Sequence, residues 1–209
     1  MSIPSLSNQR GITLIEIMVV VAISSIILTS LLRFMAVGFP VSKATYLQAR
    51  STEDARLQLK RIGKALREVR PSDTGAYPLV DMSPQRLIFY ANVDGDLATE
   101  RVRYELNGTN LERGIINPTG NPLVYDVAQE QVIITSRAIR NSTEALFTYY
   151  GGNYPADTTP LTPVDLTEVK YIQFHLIIDI DPNVDPAAVD VVSQAQLRNL
   201  KTNLGETVE

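Results

Sequence analysis

From Ile12 to Leu32 the chain is almost wholly apolar, ITLIEIMVVVAISSIILTSLL, with Glu16 as its one ionisable residue. A helix of about 20 apolar residues spans a hydrocarbon core of about 30 Å, so this stretch predicts one membrane-spanning segment. After Gly38-Phe39-Pro40 the pattern turns amphipathic. Ala55, Leu59, Ile62, Leu66 and Val69 recur at spacings of three and four, and Glu53, Asp54, Arg56, Lys60, Arg61, Lys64 and Arg67 fill positions between them. That is a helix with one buried and one solvated face. Arg70-Pro71 closes it, because a residue before proline avoids the α region. The pattern therefore predicts one long helix from about Ile12 to Arg70, kinked or locally interrupted at Pro40. Its spanning half is 12–32 and its amphipathic continuation 33–70.

Beyond residue 70 the period changes to two, the repeat of a β-strand. Arg86–Ala91 reads as a strand, followed by a turn at Val93-Asp94-Gly95-Asp96. Thr99–Leu106 places Val102, Tyr104 and Leu106 on one face, Asn107-Gly108 signals a hairpin through residues that accept positive φ, and Leu111–Ile116 returns. Val132–Thr135 and Leu146–Tyr150 are further strands; Ser136–Ala145 has no assignable pattern, and Gly151–Pro163 is a loop. Val169–Ile180 is the longest strand candidate, with Ile172, Phe174, Leu176, Ile178 and Ile180 on one face, and Ala187–Leu200 is a last strand to pair with it. Strands following a single long helix predict an α+β fold, in which residues 71–209 form a β-rich domain whose antiparallel sheet lies against the helix.

Composition narrows the function. The 209 residues carry a formal net charge of −4 with no basic run, which argues against a nucleic-acid footprint. No cysteine is present, so disulfides and thiolate metal sites are excluded. With one histidine, a zinc site or a histidine-dependent nucleophile would rest wholly on His175. That residue sits in a strand pattern opposite Phe174 and Leu176, where a half-exposed structural histidine is the better reading. No Gly-x-Ser-x-Gly elbow, Walker loop or dinucleotide glycine motif occurs. An enzyme is not expected, and neither is a cofactor. Calcium is the one metal worth weighing, since it takes oxygen ligands. Asn92, Asp94 and Asp96 have one-three-five spacing, as do Asp181, Asn183 and Asp185, but Arg103 and Val192 stand where a calcium loop has its twelfth-position Glu. A hairpin turn accounts for the first group and a polar loop for the second, so no metal site is assigned.

The N-terminus is not an ordinary secretory signal. Such a signal has a short apolar stretch followed by a small-residue cleavage site. Here the leader Met1–Gly11 is polar, the apolar run is long, Arg33-Phe34-Met35 follows it, and the small residue Gly11 precedes it. Cleavage after Gly11 would remove the leader and keep the apolar helix. The carboxylate of Glu16 costs about 2.5–3.5 kcal/mol near a helix centre in a membrane, and less near an end. A cut before Ile12 would create an α-amine about one helical turn away, on this chain or a neighbour, to pair with it. Ser24, Ser25, Thr29 and Ser30 allow close helix packing.

Arg10-Gly11-Ile12-Thr13-Leu14-Ile15-Glu16-Ile17-Met18-Val19-Val20 resembles the class III leader of type IV prepilins and type II secretion pseudopilins. The resemblance implies a pilin fold. It also implies cleavage after Gly11 by a prepilin peptidase, N-methylation of Ile12 (usually Phe in the family), and a role for Glu16 in docking into a filament. Ile88–Asp96 with Val102-Arg103-Tyr104, Phe147–Gly151 and Leu197–Leu200 are similar to W-type minor pilins and J-type minor pseudopilins. That similarity implies a low-copy subunit near the filament tip that promotes initiation. Its expected partners are other minor and major pilin or pseudopilin subunits and an inner-membrane assembly platform. The expected location is the inner membrane as a single N-in span with a periplasmic domain, then a filament. Only Arg10 precedes the span while Arg33, Lys43 and Arg50 follow it, so orientation rests on the resemblance rather than on charge. The alternative is a membrane-anchored periplasmic binding or adhesion protein using a pilin-like anchor.

Overall fold

A computed structural model describes residues 11–185 and 188–200. Among the described residues one α-helix, α1, runs from Leu14 to Arg67, and eight strands follow. The chain forms two compact units, one ending at Thr45 and the other beginning at Tyr46.

The described part of the first unit is the N-terminal portion of α1. Its large apolar side chains are exposed throughout, from Leu14 and Ile15 to Phe39 and Val41. The helix continues through Pro40, so the expected interruption does not occur. Proline removes one N–H donor, and the hydrogen bonds of the flanking turns carry the helix past it. Ser25, Thr29 and Ser30 donate their hydroxyls to the carbonyls four residues back, at 2.7–2.8 Å, which satisfies these polar groups within the apolar stretch.

In the second unit, α1 buries Ser51, Ala55, Gln58, Ile62, Gly63, Ala65 and Leu66. This is the face expected from spacing, with Leu59 partly buried beside it. The polar member that periodicity did not flag is Gln58. Its amide donates to the Thr135 carbonyl at 2.9 Å and to Asp54 Oδ1 at 2.8 Å.

The β region is two antiparallel sheets rather than the single one expected. The first is a five-stranded meander in sequence order: β1 (Leu79–Met82), β2 (Arg86–Ala91), β3 (Glu100–Asn107), β4 (Asn110–Ile116) and β5 (Gln131–Ser136). The second is β6 (Phe147–Tyr150), β7 (Tyr171–Ile178) and β8 (Val189–Gln196), in that order. The sheets separate because Ser136–Ala145, which has no strand pattern, crosses between them. Ile139 donates its N–H to the Thr109 carbonyl and bridges Ile178 of β7. Buried Asn141 donates to the His175 carbonyl at 2.8 Å and accepts from the Ile177 N–H at 3.0 Å, partnering the stretch of β7 that lies beyond its pairing with β6.

Two local expectations need correction. Asn107 pairs with Asn110, so the β3–β4 turn is Gly108-Thr109, and only Gly108 (φ 62°) has positive φ. A two-residue loop led by glycine needs no second such residue. Ile180 lies past the end of β7 and is 37% exposed, whereas Ile172, Phe174, Leu176 and Ile178 are fully buried. Side-chain alternation stops where the strand stops. β1 has no sequence signal of its own, being four residues at a sheet edge between Pro78 and the Ser83-Pro84 turn. Phe174 packs against α1 opposite Gly63, where an added Cβ would lie 3.6 Å from its ring. All eight strands and the helix together make the α+β architecture the pattern predicts.

Candidate functional site

The N-terminal candidates sit at the start of α1. Gly11 and Ile12 precede the helix and are exposed, Ile12 by 73%. Thr13 caps the first turn: its carbonyl and its Oγ1 accept the Glu16 N–H at 3.1 and 3.3 Å. Thr13-x-x-Glu16 is thus a capping-box pattern, a signal in the sequence that accounts for the Glu16 backbone without the membrane. It does not account for the carboxylate. Among the described residues the Glu16 side chain has no hydrogen-bond or ion-pair partner, and it borders a shallow groove with Ile12, Ile17, Val20 and Val21. A carboxylate in the first turn is favoured by the helix dipole by about 0.3–1 kcal/mol, too little to offset burial in hydrocarbon. An 18-residue apolar window of α1 near the N-terminus is wholly unburied and long enough to cross a membrane.

Residues 6–32 match a family model described as the prokaryotic N-terminal methylation motif. The chain carries a prepilin-type N-terminal motif. No curated protein matches the chain. The prepilin-type motif, together with the exposed apolar helix, points to membrane anchoring, to processing by a prepilin peptidase, and to assembly with other pilin subunits. It supports a type IV pilin or pseudopilin subunit.

The β2–β3 loop brings the other sequence candidates together in an altered set. Asn92 is spent on the turn: its Oδ1 accepts the Gly95 N–H at 2.7 Å and its amide donates to the Asp96 carbonyl at 2.5 Å. Asp94 and Asp96 are exposed, and their carboxylate oxygens lie within 4.8 Å of each other and of Glu100. Glu100, which spacing alone did not single out, is fully buried at the start of β3. Its Oε2 accepts the Val93 N–H at 2.8 Å, and its Oε1 is buried with no hydrogen-bond partner. Burial raises the Glu100 pKa; the Val93 N–H pulls it down, and the charges of Asp94 and Asp96 push it up further. The loop is tied to the chain just after α1. Arg70 donates to Thr99 Oγ1 at 2.9 Å and to the Ala98 carbonyl at 2.5 Å, and Asp73 accepts from the Thr99 N–H and hydroxyl at 2.9 and 2.7 Å.

The other acidic group, Asp181, Asn183 and Asp185, forms a turn in which Asp181 Oδ1 accepts the Asn183 N–H at 3.3 Å. His175 is partly buried in β7. Its Nε2 lies 2.7 Å from Asp190 Oδ1 and its Nδ1 3.5 Å from Glu144 Oε2. Neighbours on adjacent segments of the second unit hold it, which fits the structural reading. On the outer face of the first sheet, Arg103 gathers Glu105, Glu112 and Glu130. Glu130 forms a two-pronged pair with the Arg103 guanidinium, at 2.8 and 3.1 Å. It reaches Arg103 across Gly114, which pairs with Arg103 in the β3–β4 register. A Cβ at Gly114 would lie 1.9 Å from Glu130 Oε1.

Proposed function

We propose that this chain is a minor pilin or pseudopilin of a type IV pilus or type II secretion pseudopilus, placed near the filament tip and promoting initiation. Residues 1–11 are its cleaved leader, 12–32 its membrane and filament-core helix, 33–70 the continuation of that helix, and 71–209 its globular domain. A prepilin peptidase cuts after Gly11 and methylates the new amine of Ile12. The amine stands about one helical turn from Glu16, and its positive charge neutralises a carboxylate that has no partner among the described residues. Pairing with the amine of a neighbouring subunit would bring adjacent helices into register as the filament grows. The protein is held in the inner membrane with its N-terminus in the cytoplasm and is extruded with its partner subunits.

The observation that carries this reading is the unpartnered Glu16 carboxylate in the first turn of an exposed apolar helix, inside the matched methylation motif. The tip position is supported by the similarity of the β region to W-type and J-type minor subunits. The test is intact mass and N-terminal sequencing of the chain expressed with and without a prepilin peptidase. Peptidase-dependent loss of residues 1–11, with one added methyl on Ile12, is the expected result. An uncleaved chain would overturn the proposal.

A further inference from the structure

We propose that Asp94, Asp96 and Glu100 form a calcium site that staples the β2–β3 loop to the start of β3. The proposal is independent of the N-terminal motif. Three carboxylates converge within 4.8 Å, two from the loop and one from the strand. Such a cluster alone would be unremarkable on a surface. What sets this one apart is Glu100, a fully buried side chain whose Oε1 has no hydrogen-bond partner. A buried carboxylate oxygen left without a partner carries its full desolvation penalty, and the two neighbouring carboxylates add repulsion. A bound divalent cation removes both penalties at once.

The ligand chemistry selects the ion. All three groups offer hard oxygen donors, and no histidine or cysteine stands among them. Two come from an irregular loop, which suits the adaptable coordination of calcium better than the strict octahedron of magnesium. Asn92 and the Ala98 carbonyl, at the first and seventh positions of a linear calcium loop, are engaged by Gly95, Asp96 and Arg70. The ninth position, Glu100, supplies the strand carboxylate in place of the twelfth, and water completes the shell. Because Arg70 and Asp73 hold the same loop through Ala98 and Thr99, ion binding would also firm its link to the segment following α1.

The test is calorimetric titration of the full chain in detergent micelles, stripped with chelator, using calcium chloride and magnesium chloride in parallel. Saturable calcium binding with a Kd of about 0.1–1 mM is expected, as for extracellular modules. At a hundredfold excess over Kd the unfolding midpoint should rise by about 5–10 °C. The D94N/D96N variant should weaken calcium binding at least tenfold while staying folded, because each Asn keeps the Oδ1 that accepts a turn N–H. E100Q should lose the calcium-dependent shift of the midpoint as well. Absence of saturable binding up to about 10 mM calcium, equal affinity in D94N/D96N, or magnesium binding as tight as calcium would each overturn the proposal.

Discussion

Gly114→Ala isolates the reach of Glu130 across the first sheet. The new Cβ would fall 1.9 Å from Glu130 Oε1 and 2.5 Å from its Cδ, so the carboxylate must leave its place. Leaving breaks the two hydrogen bonds to Arg103, at 2.8 and 3.1 Å, in a pair whose side chains are only 15% and 16% exposed. Net hydrogen bonds to charged groups contribute about 1.5–3 kcal/mol each. The loss for the pair should total about 2–2.5 kcal/mol, less than two full bonds, because Arg103 keeps Glu105 and Glu112 and the displaced Glu130 can reach water. Alanine in place of glycine in a strand returns about 0.5–1 kcal/mol through the unfolded chain. The net cost is about 1–2 kcal/mol. Urea unfolding of the full chain in detergent, read as a fall in midpoint at constant slope, measures it. The decisive comparison is the same substitution in a Glu130→Ala background, where no carboxylate obstructs the Cβ. There Gly114→Ala should be neutral or stabilising by about 0.5–1 kcal/mol, so the cycle shows a coupling of about 2 kcal/mol. Equal effects in both backgrounds would refute the reasoning.

Other substitutions separate further features. Gly63→Ala should stabilise by up to about 1 kcal/mol, since it is a helix-interior glycine whose added Cβ meets Phe174 at an ordinary 3.6 Å; a lower unfolding midpoint would show that this contact is tighter than its distance implies. Asn141→Ala strands the His175 carbonyl and the Ile177 N–H, and should cost about 2–4 kcal/mol in chemical denaturation, whereas a change under about 0.5 kcal/mol would mean that water replaces the amide. Asp73 has its pKa lowered, first by the Thr99 hydroxyl. Its stabilising contribution is therefore complete above the ordinary carboxylate range and is lost as pH falls through the lower folded value. An Asp73→Asn variant should flatten that part of the acid limb in a pH series of melting curves, and an unchanged limb would remove Asp73 from the account. Glu16→Gln should leave cleavage after Gly11 intact while reducing cross-linking into filaments. Wild-type incorporation would end the proposed docking role.

The N-terminal half of this chain is legible because its information is local. Length and apolarity mark the span, and spacings of three and four mark the buried face of α1; the helix ends at Arg67, three residues before the expected close at Arg70-Pro71, because Val69 already bridges Ala91. Each of these signals depends on residues a few positions apart. The same holds for β3 and β7, whose period-two patterns predict them, and for β2 and β4, short runs bounded by turn residues, all with small errors at the ends. The failures share a different property. Gln58 reaches Thr135, Asn141 fills the edge of β7, and Glu130 crosses Gly114 to Arg103. Each is a polar residue whose partner is distant along the chain, and no periodicity encodes that partner.

The β2–β3 loop shows both sides of this divide. Asn92, Asp94 and Asp96 could be picked out by spacing, but Glu100 acquires its meaning only when the fold buries it without a partner for Oε1. The sequence by itself determined the apolar helix, its processing motif, the α+β class and most of the strands, because hydrophobic burial and turn chemistry act over short stretches of chain. Only the tertiary structure decided that the strands divide into two sheets, that Ser136–Ala145 joins them, and which carboxylates converge. Those outcomes depend on which backbone groups find partners once distant segments meet.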